Sequence, residues 1–307
     1  MAALKQQRWT EISVQAEREA TDDITALLGR YCAGGAVVEQ DLDTAPVTSD
    51  DRVTIKGFLP VWDEETLQKL EIALLLLSRS NVISEPHIRT LEPEDWAESW
   101  KAYFPPQHVG QRTVIVPTWR EYTPQPDEVI IHLDPGMAFG TGQHPTTRLC
   151  LVAIERVLQP GMRVLDVGTG SGILAISAAL QGAESVMAID VDPISVAATR
   201  ENVALNKVQD VIQVEHGTLA GSDRSPEIPV HNRPGYYDLA LVNILAGVIV
   251  VMAPGIAAAV RQGGLVVASG IITDGADRVI ERLAEVGLSL VERLEEKDWV
   301  ALICQKD

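Results

Sequence analysis

Between residues 164 and 192 a strand, a glycine turn, a helix and a second strand follow one another, and no other stretch limits the fold as tightly. The apolar run Val164-Leu165-Asp166-Val167 leads into Gly168-Thr169-Gly170-Ser171-Gly172. A helical stretch over 173–181 follows, then an apolar strand over 185–189 that ends at Asp190. This layout brings backbone against a nucleoside-bearing ligand at the carboxyl edge of a parallel sheet. Gly168 and Gly170 lack the Cβ that would occupy the ligand's volume. Asp190, 22 positions after Gly168, stands where a carboxylate can accept both ribose hydroxyls.

The spacing of the glycines narrows the ligand. A dinucleotide loop reads Gly-x-Gly-x-x-Gly and offers a helix N-terminus to a pyrophosphate. Here Gly168, Gly170 and Gly172 alternate and are preceded by Asp166. That run resembles motif I of the class I S-adenosylmethionine-dependent methyltransferases, whose cofactor carries no phosphate. It opposes a nicotinamide-dependent oxidoreductase. The competing reading is a tight strand-to-helix turn, with Asp190 capping the next helix.

At 307 residues the chain can bury two cores. Its 43 acidic residues against 25 basic ones give a formal charge of −18. Such a surface repels a phosphate backbone and suits a basic protein partner, so direct nucleic-acid binding is not expected. Cys32, Cys150 and Cys304 lie far apart and no His/Cys cluster has metal spacing, which fits a reduced, cytoplasmic chain without bound metal. No apolar run after the start has the length of a signal-peptide core. The longest one, over 72–77, is far too short to span a bilayer.

Ahead of the glycine unit the pattern changes. Ile12, Val14 and Ala16 alternate as in a strand over 9–16, and 17–31 reads as a helix starting near Thr21. Strands over 36–40 and 52–59, a leucine-rich helix over 63–78 and a strand over 87–91 complete a βαββαβ order, the ferredoxin-like arrangement. Residues 93–106 read as a helical linker, with Trp96, Trp100 and Tyr103 on one face. This divides the chain into a small α+β domain over 1–92, the linker, and a second domain over 107–307. Short strands over 113–116 and 129–133 suggest a hairpin that introduces the second domain. Strands over 211–215, 238–242 and 264–268 then alternate with helices over 193–206, 245–261 and 274–286, which builds a parallel sheet covered on both faces. The last two strands, over 288–294 and 299–305, have no helix between them. An antiparallel hairpin therefore ends a seven-stranded, mostly parallel α/β sheet. The charged segment over 221–235 reads as a surface insertion.

Further motifs accompany the glycine loop. Asp-Pro-Gly-Met-Ala-Phe-Gly-Thr-Gly-Gln-His-Pro-Thr-Thr ends at Thr147, where Thr146 or Thr147 can cap or line a helix start. Asn243-Ile244-Leu245-Ala246 follows the fourth strand, so Asn243 points at the ligand or caps the next helix. Asp166 is assigned a structural role, binding the loop's own amides. With the glycine loop, these motifs are similar to those of the bacterial ribosomal protein L11 methyltransferase family, from about residue 92 to the end. That resemblance implies a Rossmann-like class I methyltransferase domain with S-adenosylmethionine as cofactor. It further implies a ferredoxin-like domain that recognises ribosomal protein L11, and a flexible linker that carries the catalytic domain to several amines. Its cofactor contacts fall on Thr147, Gly168, Asp190 and Asn243, and Gly170 completes the cradle. The N-terminal part is longer than that of a minimal member around residues 40–51.

Amine chemistry sets the remaining demand. A lysine amine has a pKa near 10.4, so about one in a thousand is a free base at neutral pH and supplying it costs roughly 4 kcal/mol. Asn243 is the candidate for orienting the amine through its side-chain oxygen. His132 and His144 lie near the loop, but a lone histidine there is more often structural than a general base. The other readings are a methyltransferase acting on a different protein or a small molecule, and a non-catalytic cofactor-binding module.

Overall fold

The computed structural model describes residues 9–17, 20–32, 36–39, 52–60, 63–78, 83–91, 105–133, 142, 144–220 and 228–307. The chain divides into two compact units, Met1–Phe104 and Pro105–Asp307.

In the first unit the elements are β1 (Trp9–Glu17), α1 (Thr21–Tyr31), β2 (Ala36–Glu39), β3 (Arg52–Pro60), α2 (Glu64–Ser78) and β4 (His87–Leu91). The sheet order is β2-β3-β1-β4 with every pair antiparallel, which is the ferredoxin-like order expected of βαββαβ. Strand periodicity explains the core: Ile12, Val14 and Ala16 of β1 face Ile24 and Leu28 of α1 and Leu70 and Leu74 of α2. Asp63 starts α2 by accepting from the Thr66 N–H at 3.2 Å. The linker helix with Trp96, Trp100 and Tyr103, and the extra length at 40–51, fall outside the described residues.

The second unit opens with β5 (Gln107–Val109), β6 (Thr113–Val116) and β7 (Val129–His132). β6 and β7 are parallel, not the expected hairpin, and the antiparallel partner of β6 is β5, which the sequence pattern did not suggest. The connection over 117–128 is long enough for a crossover, and Val129 N–H donates to the Arg112 carbonyl at 2.8 Å to set the parallel register.

The large sheet comprises β8 (Arg163–Val167), β9 (Ser185–Asp190), β10 (Ile212–His216), β11 (Tyr237–Asn243), β12 (Val260–Ile272), β13 (Leu288–Glu296) and β14 (Trp299–Lys306). Their spatial order is β10-β9-β8-β11-β12-β14-β13. The first five are parallel, and β14 runs against both its neighbours. α3 (Pro145–Val157), α4 (Ile173–Leu180) and α5 (Pro193–Leu205) share one core with Val164, Leu239 and Leu241. α6 (Ala246–Ala259) and α7 (Ala276–Glu285) share the other with Leu165, Val167 and Val242. Alternate strand residues thus feed opposite layers, as in a doubly wound sheet.

β12 begins at Val260, four residues before the expected 264, and α6 stops at Ala259 rather than Arg261. The reason is electrostatic. Asp238 at the start of β11 accepts from Arg163 Nε at 3.0 Å and Arg261 Nε at 2.5 Å, so Arg261 belongs to the sheet's lower edge. Burial works against the Asp238 carboxylate, but its two arginines hold it well below the usual range.

Candidate active site

The strand order reverses direction at β8 and β11, and ligands of open α/β sheets sit outside the carboxyl ends at that switch point. The glycine loop leaves β8 there. Gly168 and Thr169 donate backbone N–H bonds to the Ile189 carbonyl at 2.9 and 3.1 Å, pulling the loop across the end of β9. Gly168 has φ +72°, and a Cβ at that position would run into the Ile244 Cγ2 methyl. Only glycine meets both demands. Behind the loop, Thr199 Oγ1 donates to the Gly170 carbonyl and Asn202 Nδ2 to the Ser171 carbonyl, both at 2.8 Å, so α5 braces the turn.

Asp190 ends β9 and is almost wholly buried. Its Oδ2 accepts from the Gly170 N–H at 3.0 Å and its Oδ1 from the Asp192 N–H at 2.9 Å. The next helix is capped by Asp192, which accepts from the N–H groups of Ile194 and Ser195. Asp190 therefore serves the loop rather than capping the next helix. A carboxylate has about four lone-pair sites, and two of the four remain for hydroxyl donors.

Asp166 departs from its expected partners. It does not bind the amides of the glycine loop; its Oδ2 accepts from the Thr169 hydroxyl at 2.7 Å and the Ala175 N–H of α4 at 3.2 Å. The side chain faces the α3/α4 layer, so the helix amide lies nearer than those of the loop. Burial pushes the carboxyl up to about 7, the two hydrogen bonds work against that rise, and the Asp190 charge adds to it. Its Oδ1 is buried with no hydrogen-bond partner.

Asn243 ends β11 beside Ser269 of β12. It is not a helix cap: the N-cap of α6 is Leu245, which makes no side-chain cap bond. The Asn243 Nδ2 donates to Thr147 Oγ1 at 3.4 Å, and the Asn243 Oδ1 is buried without a partner. Strand β11 carries Leu241 and Asn243 to the same face, and Leu241 stands level with Asp166. Two unpaired acceptors therefore face the α3 side of the sheet from neighbouring strands. Buried polar atoms without partners are rare in native proteins and mark places where a donor is to be received.

Thr146 and Thr147 are both buried in the first turn of α3, but neither caps it. His144 does: its Nδ1 accepts from the Thr146 N–H at 3.4 Å and lies 2.8 Å from the Thr146 hydroxyl. Pro145 occupies the first helical position, where its missing N–H costs nothing. Burial, and then the Arg148 guanidinium, hold His144 below the usual histidine range, with Glu296 partly opposing. The neutral ring packs edge-on against Trp299, centroids 4.7 Å apart. His132 is exposed, and its backbone N–H and C=O are both taken by the Asn206 side chain. Residues 134–141 and 143 of the glycine-rich motif fall outside the described residues.

Thr147, Gly168, Gly170, Asp190 and Asn243 thus meet at one end of the sheet, linked through Ile189, Ile244 and the Thr147–Asn243 bond. The caps His144, Asp192 and Leu245 escaped the sequence reading. For the first two the signal was a polar residue followed by proline. The donor set fits S-adenosylmethionine: a glycine cradle, a carboxylate with spare acceptors and two orphan oxygens. Among the described residues it offers no cluster of cations for phosphates.

Comparison with known proteins agrees over nearly the whole chain. A family model described as ribosomal protein L11 methyltransferase (PrmA) matches residues 8–307. The ribosomal protein L11 methyltransferase of Chloroflexus aurantiacus is 46% identical, over 96% of this chain and 97% of that protein. That of Bacillus subtilis is 38% identical, over 97% and 100% respectively. The crystal structure of a ribosomal protein L11 methylase from Lactobacillus delbrueckii subsp. bulgaricus superposes with a TM-score of 0.55 at 32% identity, covering 66% of this chain and 100% of that one.

Proposed function

The chain belongs to the ribosomal protein L11 methyltransferase family, and on that premise we propose that it transfers methyl groups from S-adenosylmethionine to amines of ribosomal protein L11, on lysine side chains, the N-terminus or both. The observation that carries the amine assignment is the unpartnered, buried Oδ1 of Asn243 at the carboxyl edge of the sheet.

S-adenosylmethionine, when bound, supplies a methyl group already activated on a sulfonium. What remains for the protein is to hold the cofactor, present a neutral amine in line and keep water out. Gly168 and Gly170 supply backbone that approaches the cofactor closely, and Asp190 offers its two spare acceptor sites to the ribose hydroxyls. Thr147 fixes the Asn243 amide by accepting from its Nδ2, which turns Oδ1 toward the incoming amine. A neutral amine donates one N–H to that oxygen, and its lone pair is left to attack. Loss of the ammonium proton costs roughly 4 kcal/mol at neutral pH unless burial lowers the amine's pKa. Neither histidine is placed to take it. His144 is engaged with Thr146 and Trp299, and His132 is exposed on β7. The transfer therefore calls for an amine that has lost its proton before attack.

Transfer of label from methyl-labelled S-adenosylmethionine to purified ribosomal proteins tests the proposal. Label confined to L11, and stable to the base treatment that hydrolyses methyl esters, is the expected result. Label on another protein, on a small molecule or nowhere would overturn it.

A further inference from the structure

Leu245 occupies a position that is unfavourable twice over. Among the described residues it is the most exposed of the large apolar ones, at 74%. It is also the N-cap of α6, where a Ser, Thr, Asp or Asn side chain would satisfy a further helix N–H; leucine contributes only its carbonyl, which accepts from Val248 N–H at 2.8 Å. A residue that breaks two local rules without a compensating contact marks a site where something other than stability decides. Single exposed leucines are ordinary, but this one stands two residues after Asn243.

A second exposed apolar residue stands on the neighbouring strand. Ile272, 53% exposed, ends β12, the neighbour of β11. Ile244 N–H donates to the Ser269 carbonyl at 3.2 Å, and a Cβ on Gly270 would run into the Ile244 carbonyl, so the two chain segments touch where they leave the sheet. Ile272 pairs with Trp299 of β14, which carries the His144 ring on its face. Ser269 is level with Asn243. Three residues of strand rise put Ile272 roughly 10 Å beyond it along the strand, less the local bulge. The acceptor oxygen is buried, and the exposed Leu245 and Ile272 follow it along their two chain segments.

We infer that Leu245 and Ile272 form an apolar lip that receives the four-carbon stem of a lysine side chain while its amine reaches Asn243, which makes Leu245 a specificity-determining residue for side-chain amines. The inference rests on the amine-transfer reading given above. Lysine stems lie along apolar surface with the nitrogen beyond it, and leucine offers such a surface where a capping residue would offer a competing acceptor. An oxygen at position 245 would hydrogen-bond the helix N–H groups or divert the amine from Asn243.

The test is Leu245→Ser in the full chain, with ribosomal protein L11 as substrate. Serine is a better N-cap, so the melting temperature should hold or rise. KM for L11 should increase on the order of tenfold, the loss of one buried leucine contact, with kcat within a factor of about two. S-adenosylmethionine affinity should stay unchanged. Leu245→Met should restore KM, and Val251→Ser, further along the exposed side of α6, should leave it unaltered. Unchanged KM in Leu245→Ser, a fall confined to kcat or a loss of cofactor affinity would overturn the lip while leaving the reaction standing. Unaltered protein that transfers no methyl to L11 would overturn the reading and the lip together.

Discussion

Asn243 is held before any ligand arrives: one side of its amide donates to Thr147, and the other waits unpaired. Because the Thr147 bond is long at 3.4 Å, removing it should cost little stability, below about 1 kcal/mol. Asn243→Ala should therefore melt near the parent temperature and methylate at least about tenfold more slowly, the worth of one well-placed hydrogen bond. An unfolded variant would return Asn243 to a structural role, and full activity would deny it any. Asp190 is different, because it holds Gly170 and Asp192 besides its proposed contact with the ribose. Asp190→Ala should weaken S-adenosylmethionine binding by about 1–3 kcal/mol in calorimetry and also lower the melting temperature, since two amides lose their acceptor. Undiminished affinity would exclude the ribose role.

Among the elements, the hairpin of β5 and β6 depends on a carboxylate from α3. Glu155 accepts from the N–H groups of Gln111, Arg112 and Thr113 and from the Thr113 hydroxyl at 2.7–3.0 Å. Burial alone would raise its pKa, but these four bonds outweigh burial and the carboxyl ends below the usual range. A depressed folded pKa stabilises above the unfolded value and is lost as pH falls through the folded one. Glu155→Ala should cost about 1–3 kcal/mol. It should speed hydrogen exchange at the amides of 111–113, and acidification below about pH 4 should do the same in the parent. Unaltered exchange in the variant would mean the hairpin is held by its core residues Val109 and Ile115 alone. The anchor also steadies α3, whose first turn carries Thr147.

On the scale of the whole molecule, all the proposed cofactor residues lie in the second unit, and the first is a separately cored βαββαβ fold. A chain starting at Pro105 should keep S-adenosylmethionine affinity close to that of the full protein. It should lose most methylation of L11, because tethering raises the local concentration of target amines and is then absent. Moderate salt should weaken L11 binding by the full chain if its formal charge of −18 steers a basic partner. Full L11 methylation by the shortened chain would sink this division of labour.

The glycine spacing, Asp190 and the alternation of strand and helix carried the fold and pointed to the candidate site, because they are local demands: a turn that excludes Cβ, a carboxylate at a fixed distance, a period of two or of 3.6. Tertiary structure decided what those residues touch. Gly168 must lack a side chain because Ile244, 76 positions on, packs against it. Asp166 took a helix amide and the Thr169 hydroxyl rather than the loop's amides, β6 took β7 as a parallel partner, and β12 began early because Asp238 holds Arg261. His144 and Leu245 are caps by geometry against propensity. Each of these is settled by the nearest partner in space, and a sequence states only the nearest partner along the chain.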